Sequence, residues 1–161
     1  VRVYLPLTVQ GLTELHRTGR IGPPPLRAHA VTSSLRADPD WSGADDEELE
    51  YAALMAAAFA SLERIATTGD APRRVVVAAD VDDSAIEPTD DVTEVVVTAD
   101  IPLARCQAVH VDDADTEGEV AEAVRRLPDA TAGDGQALAA VSLSQLELLW
   151  FATQEIGDLL G

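Results

Sequence analysis

The chain has 161 residues, 29 of them acidic and 11 basic, for a formal net charge of −18. Its length fits one domain with one core, and a hydrophobic share of 47% lies in the globular range, so disorder is not the default. The charge argues against direct docking on nucleic acid or anionic membrane, because neutralising phosphates supplies most of that affinity.

In chain order, Val1–Leu5 is a β-branched run closed by Pro6, which predicts a first strand. Thr8 caps a helix over Val9–Thr18, with Leu12 and Leu15 on its core face and Gly19 as its stop. Arg20–Arg27 holds Gly22 and three prolines and reads as a stiff loop. A short strand over Ala28–Thr32 and a helical turn over Ser33–Ala37 follow, broken by Asp38-Pro39-Asp40. Asp45–Ala66 is the clearest helix. Four carboxylates crowd its first turn, where they complement the helix dipole. Tyr51, Leu54, Met55, Ala58, Phe59, Leu62 and Ile65 share one face by three-four spacing and are expected in the core.

Val75–Ala79 is an uninterrupted apolar run, as for a strand covered on both faces. Ser84–Asp91 reads as a polar loop, and Glu94–Ala99 and Arg105–Val111 as strands. Alternation along the last puts Val109 and Val111 on one face, with Cys106, Ala108 and His110 on the other. Thr116 and Glu119 make a capping box for a helix to Leu127, stopped by Pro128. Residues 129–136 are small, polar and Gly-rich, a flexible loop within a single domain spanning 1–161. Ser142 and Gln145 make a second box, with Val141 and Leu146 as its staple, for a final helix to Leu160. Intermixed strands and helices predict an α/β or α+β fold: a single mixed β-sheet of about five strands with packed helices. The pattern leaves strand order undetermined.

Lysine is absent, so lysine Schiff-base chemistry and a phosphate-loop nucleotide site are excluded. Asparagine is absent too, and both residues have AT-rich codons, which points to a high-GC genome. The single Cys106 permits neither an intrachain disulfide nor a thiolate zinc cluster. No run approaches the ~20 apolar residues of a membrane span. A cytoplasmic location is expected.

Chemistry is best placed at His110-Val111-Asp112-Asp113-Ala114-Asp115, where a strand gives way to a helix. Asp112, Asp113 and Asp115 could offer oxygens to Mg²⁺, and His110 could orient a group or shuttle a proton. Turn and capping roles account for the same aspartates. A second acidic strand end lies at Asp80, Asp82 and Asp83. The two ends would meet if their strands were parallel neighbours and would lie apart if antiparallel. On the last predicted helix, Trp150 and Phe151 point about 100° apart, so one is a candidate interface anchor.

Several stretches together carry a resemblance: Arg2-Val3-Tyr4-Leu5-Pro6, Glu48-Leu49-Glu50-Tyr51-Ala52-Ala53, Arg73 to Asp80, Ala108 to Asp113, and Leu149 to Glu155. They resemble a family of short uncharacterised actinobacterial proteins labelled only as of unknown function. The resemblance implies an actinobacterial source and supplies no activity, cofactor or catalytic residue. The expectation is therefore a non-catalytic interaction or regulatory domain that binds a protein partner or itself, with Trp150 or Phe151 in the contact. The alternative is a small Mg²⁺-dependent enzyme acting on a phosphorylated or polar metabolite.

Overall fold

The computed structural model describes residues 1–143 and 146–161. Its main sheet has seven strands. They are β1 (Arg2–Leu7), β3 (Leu26–His29), β4 (Val75–Asp80), β5 (Ile86–Pro88), β6 (Glu94–Val97), β8 (Cys106–Val111) and β9 (Leu149–Phe151). Their order is β5-β6-β3-β1-β4-β8-β9. A separate ribbon pairs β2 (Arg20–Ile21) with β7 (Ile101–Pro102). All registered pairings are antiparallel. The expected sheet of about five strands was too small, because β5 and β9 are three-residue strands that local pattern does not reveal.

β4 is the apolar centre, with Val75 to Ala79 buried as their composition predicts. β1 runs through Pro6 to Leu7 rather than stopping. Its register with β3 is confined to Tyr4, so Pro6 faces an edge-like position, where a missing N–H is tolerated.

One sheet face carries Val3, Leu5, Val75, Val77, Val109 and Val111. Helix α1 (Val9–Thr18) covers it with Leu12 and Leu15. Its predicted caps are present, since Thr8 accepts from Gly11 N–H and Gly19 adopts φ 77°. Ile156 of the short helix α6 (Ile156–Leu159) and Ile21 and Ile101 of the ribbon complete that layer.

The other face carries Tyr4, Val76, Ala78 and Ala108 beneath the long helix α3 (Asp46–Thr68). The chain reaches it from β3 through α2 (Ser33–Ala37), where a helical turn was expected. Asp45 caps α3, accepting from Glu48 N–H. The buried side of α3 is Leu49, Ala53, Ala57, Ala58, Ser61, Leu62 and Ile65, which corrects the expected core face. Tyr51 and Phe59 lie outside it. Small residues on helix and sheet bring the two close, and aromatic rings are turned outward. Ser61 fastens the contact, donating to Leu7 C=O at 2.6 Å and accepting from Val75 N–H at 3.0 Å.

Two further helices, α4 (Glu117–Thr131) and α5 (Gly135–Ser142), pack beside the second half of α3. Pro128 does not stop α4. It lies in the last turn, where Leu127 and Ala130 still pack inward. Thr116 donates to Asp113 C=O instead of capping, and Asp113 caps the preceding turn by accepting from Asp115 N–H. The predicted final helix from Ser142 is corrected too. Ser142 ends α5, Leu149–Phe151 form β9, and only Ile156–Leu159 are α-helical thereafter. Gln145 of the expected capping box lies outside the described residues. No described helix is long and apolar enough to cross a membrane.

Candidate functional site

On the α3 side of the sheet, the rows of β8 and β9 beyond the helix are only partly covered. His110 and Trp150 are cross-strand partners there, so their side chains share this face. The first turns of α3 supply the opposite wall with Glu47, Glu50, Tyr51, Leu54 and Met55. Two adjoining hollows of about 270 and 290 Å³ result, both lined by Tyr51, Leu54, His110 and Trp150. Arg2, Tyr4, Ala78 and Ala108 floor one; Glu147 and Leu148 close the other.

The aromatic walls are open to solvent, with Trp150 exposed by 62% and Tyr51 by 57%. Both rings carry large apolar faces that the fold itself does not use. The polar groups divide into paired and unpaired. Tyr4 donates its hydroxyl to Glu50 Oε2 at 2.5 Å. Burial, then the Glu50 carboxylate, raises the Tyr4 pKa, so the phenol keeps its proton. Arg2 Nε donates to Asp80 Oδ1 at 2.8 Å, and that ion pair holds the Asp80 carboxyl below its ordinary range. Burial, reinforced by Arg2, lowers the His110 pKa, so its imidazole is neutral near pH 7. No described side chain hydrogen-bonds the His110 ring. Glu47 and Glu147 likewise have no ion pair among the described residues. The groove thus offers two aromatic faces, uncompensated carboxylates and a neutral imidazole. That set suits a cation with an apolar stem.

Of the residues singled out from sequence, this groove gathers His110 and Trp150. Phe151 pairs with Val109 on the opposite face and packs against the main core. Cys106 is also on that opposite face, not beside His110. A register shift between Ala78 and Ala79 reverses the expected alternation. Burial raises its thiol pKa to about 11.

The acidic strand ends do not converge, because β4 and β8 are antiparallel. Asp112 is buried and receives Arg74 in a fork. Nε and the backbone N–H reach Oδ2, and Nη2 reaches Oδ1, each at 2.8 Å. Asp113 is a turn cap, and Asp115 is exposed. At the far end Asp80 holds Arg2, and Asp82 holds Arg105 at 2.8 Å. Among the described residues, no three His, Cys, Asp or Glu side chains stand together as a metal site would require.

Sequence reasoning missed Tyr4, Glu50 and Tyr51. Tyr51 was expected in the core, and Tyr4 and Glu50 were noticed only within the stretches that carry the family resemblance. Nothing local links Tyr4 to a carboxylate 46 positions away.

Comparison with known proteins gives a family and no activity. The model of the Family of unknown function (DUF6912) matches residues 1–160. No curated protein and no solved structure matches the chain.

Proposed function

The chain belongs to the DUF6912 family, and from that premise, which carries no assigned chemistry, we propose that it is a non-catalytic interaction domain that docks a basic segment of a protein partner. The observation that carries this reading is the pairing of Trp150 and Tyr51 across one groove with Glu47 and Glu147 at its sides. An arginine or lysine side chain would lay its stem along Leu54 and Met55 and its charge against the rings and carboxylates. Cation–π contacts contribute about 0.5–2 kcal/mol, more as the site dries. A second copy of this chain is a poor occupant, since a net charge of −18 repels its like. The composition, free of lysine and asparagine, supports an actinobacterial source. We also place the domain in the cytoplasm, where a lone buried thiol is at home.

The test is a titration with an arginine-rich unstructured peptide, measured by isothermal titration calorimetry at about 0.15 M salt, where charges beyond roughly 8 Å are screened. Saturable binding is expected, weakened about tenfold or more by Trp150→Ala or Tyr51→Ala, as anchor truncations do. Both substitutions leave net charge unchanged. Equal affinity in wild type and both variants would mean diffuse attraction to an acidic surface and would refute the groove as a docking site.

A further inference from the structure

On the other flank of α3 lies a second hollow, of about 460 Å³. Pro6 and His29 form its floor. The last turns of α3 (Ala60, Glu63, Arg64, Thr67, Thr68) make one wall, and Arg27 and Glu94 the other.

The direction of three hydrogen bonds fixes what His29 presents there. The Asp91 carboxylate accepts from Thr93 N–H at 2.8 Å and Glu94 N–H at 3.0 Å, and is held below its ordinary pKa, chiefly by the Thr93 N–H. An ionised carboxylate only accepts, so the Thr93 hydroxyl donates to it at 3.2 Å. The arrangement that satisfies all three groups together has Thr93 Oγ1 donating to Asp91 and accepting from His29 Nδ1, 2.9 Å away. Nδ1 therefore carries the ring proton, and Nε2 is a lone-pair acceptor. His29 is only 8% exposed. Nε2 has no described partner, yet no described side-chain nitrogen or oxygen is sealed away unsatisfied. Nε2 thus opens into the hollow. Burial lowers the His29 pKa, which keeps the ring neutral.

The walls carry two arginines, Arg27 and Arg64, and two glutamates, Glu63 and Glu94. Arg64 makes no ion pair among the described residues, and desolvation by its surroundings lowers its pKa. Arg27 uses Nη1 on Glu94 at 2.8 Å, so the two charges offset each other, while further N–H groups of the guanidinium stay free to donate. The helix carbonyls of Glu63 and Arg64, which would repel an anion, already accept the Thr67 and Thr68 hydroxyls. Glu63 and Arg64 are both exposed and stand on the solvent side of that wall.

We propose that this hollow is a binding site for a small oxyanion that also carries an O–H donor. The Arg64 guanidinium takes the charge, the free N–H groups of Arg27 add hydrogen bonds, and His29 Nε2 accepts a hydrogen bond from the hydroxyl. Hydrogen phosphate and a small hydroxy-carboxylate share that chemistry. The site is independent of the groove beside Trp150.

The experiment is a titration of the full chain, read on the His29 ring signals by NMR, with two matched pairs of probes. Phosphate is set against sulfate, which has the same shape but no proton at neutral pH. Hydroxyacetate is set against acetate. In at least one pair the member bearing O–H should bind saturably and about tenfold or more tighter than its partner, the cost of leaving a buried acceptor unsatisfied. The pair that discriminates identifies the source of the oxyanion. Arg64→Ala, a surface change that leaves the unfolding midpoint in place, should abolish that binding, and Arg64→Lys should restore part of it. No saturable shift with any probe, equal affinity within both pairs, or binding unchanged in Arg64→Ala would each overturn the proposal.

Discussion

Strand β4 ends in an arginine–carboxylate pair at both extremities, and the two pairs have opposite characters. At its start Arg74 and Asp112 are 2% and 1% exposed, and both carboxylate oxygens are filled by the guanidinium and a backbone N–H. Arg74 also reaches Leu146 C=O, which ties the segment leading into β9 to the sheet. At the other end Arg2 and Asp80 are 40% and 42% exposed, and Arg2 borders the groove. Identical chemistry therefore serves two purposes, and burial decides which. The sealed pair is scaffold with no valence left for a ligand. The open pair lies beside a surface where the Trp150 and Tyr51 rings are exposed and Glu47 and Glu147 make no ion pair among the described residues.

The largest effect that would sharpen this contrast is at the sealed end. Arg74→Ala leaves the Asp112 carboxylate buried without its cation, and removing one partner of such a pair costs about 3–5 kcal/mol. Urea unfolding should show that loss; a change near zero would mean the pair is not the scaffold described. Replacing both, as Arg74→Met with Asp112→Leu, should recover part of the stability, because the apolar pair carries no charge desolvation but leaves the Arg74 backbone N–H without its acceptor.

A smaller effect comes from the histidines. Burial holds the pKa values of His29 and His110 below the ordinary 6.5. As pH falls below that value the unfolded chain takes up protons that the folded chain refuses, so stability declines with acidification. The unfolding midpoint should drop between about pH 7.5 and about pH 5.5, and His29→Gln and His110→Gln should each flatten the slope. An unchanged slope in both variants would contradict the burial assigned to these rings.

The smallest effect is at the open end. Arg2→Ala breaks an exposed pair and should cost under about 1 kcal/mol. A loss comparable to that of Arg74→Ala would erase the distinction between the two ends.

How much of this was legible in the sequence varied with the range of the interactions. Helix α1 was readable because Thr8 and Gly19 act on their own neighbours. The burial of Val75–Ala79 was readable from composition alone. The orientation of α3 was not, because its alanines rather than its aromatics face the sheet, and only the small residues of β4 and β8 explain why. Leu149-Trp150-Phe151 suits helix or strand equally, and the free edge of β8 decided it. In the candidate site, His110 and Trp150 were noticed singly, but their adjacency needed the register. The Asp112 partner is 38 positions away and the Thr93 partner of His29 is 64, beyond any local pattern.

The most direct test of the account is NMR shift mapping of the full chain with the arginine-rich peptide. Amide signals of β8, β9 and the first turns of α3 should move and saturate together, while those around Arg74 and Asp112 stay in place. Shifts scattered across the acidic surface, or centred on the Arg74 end, would contradict it.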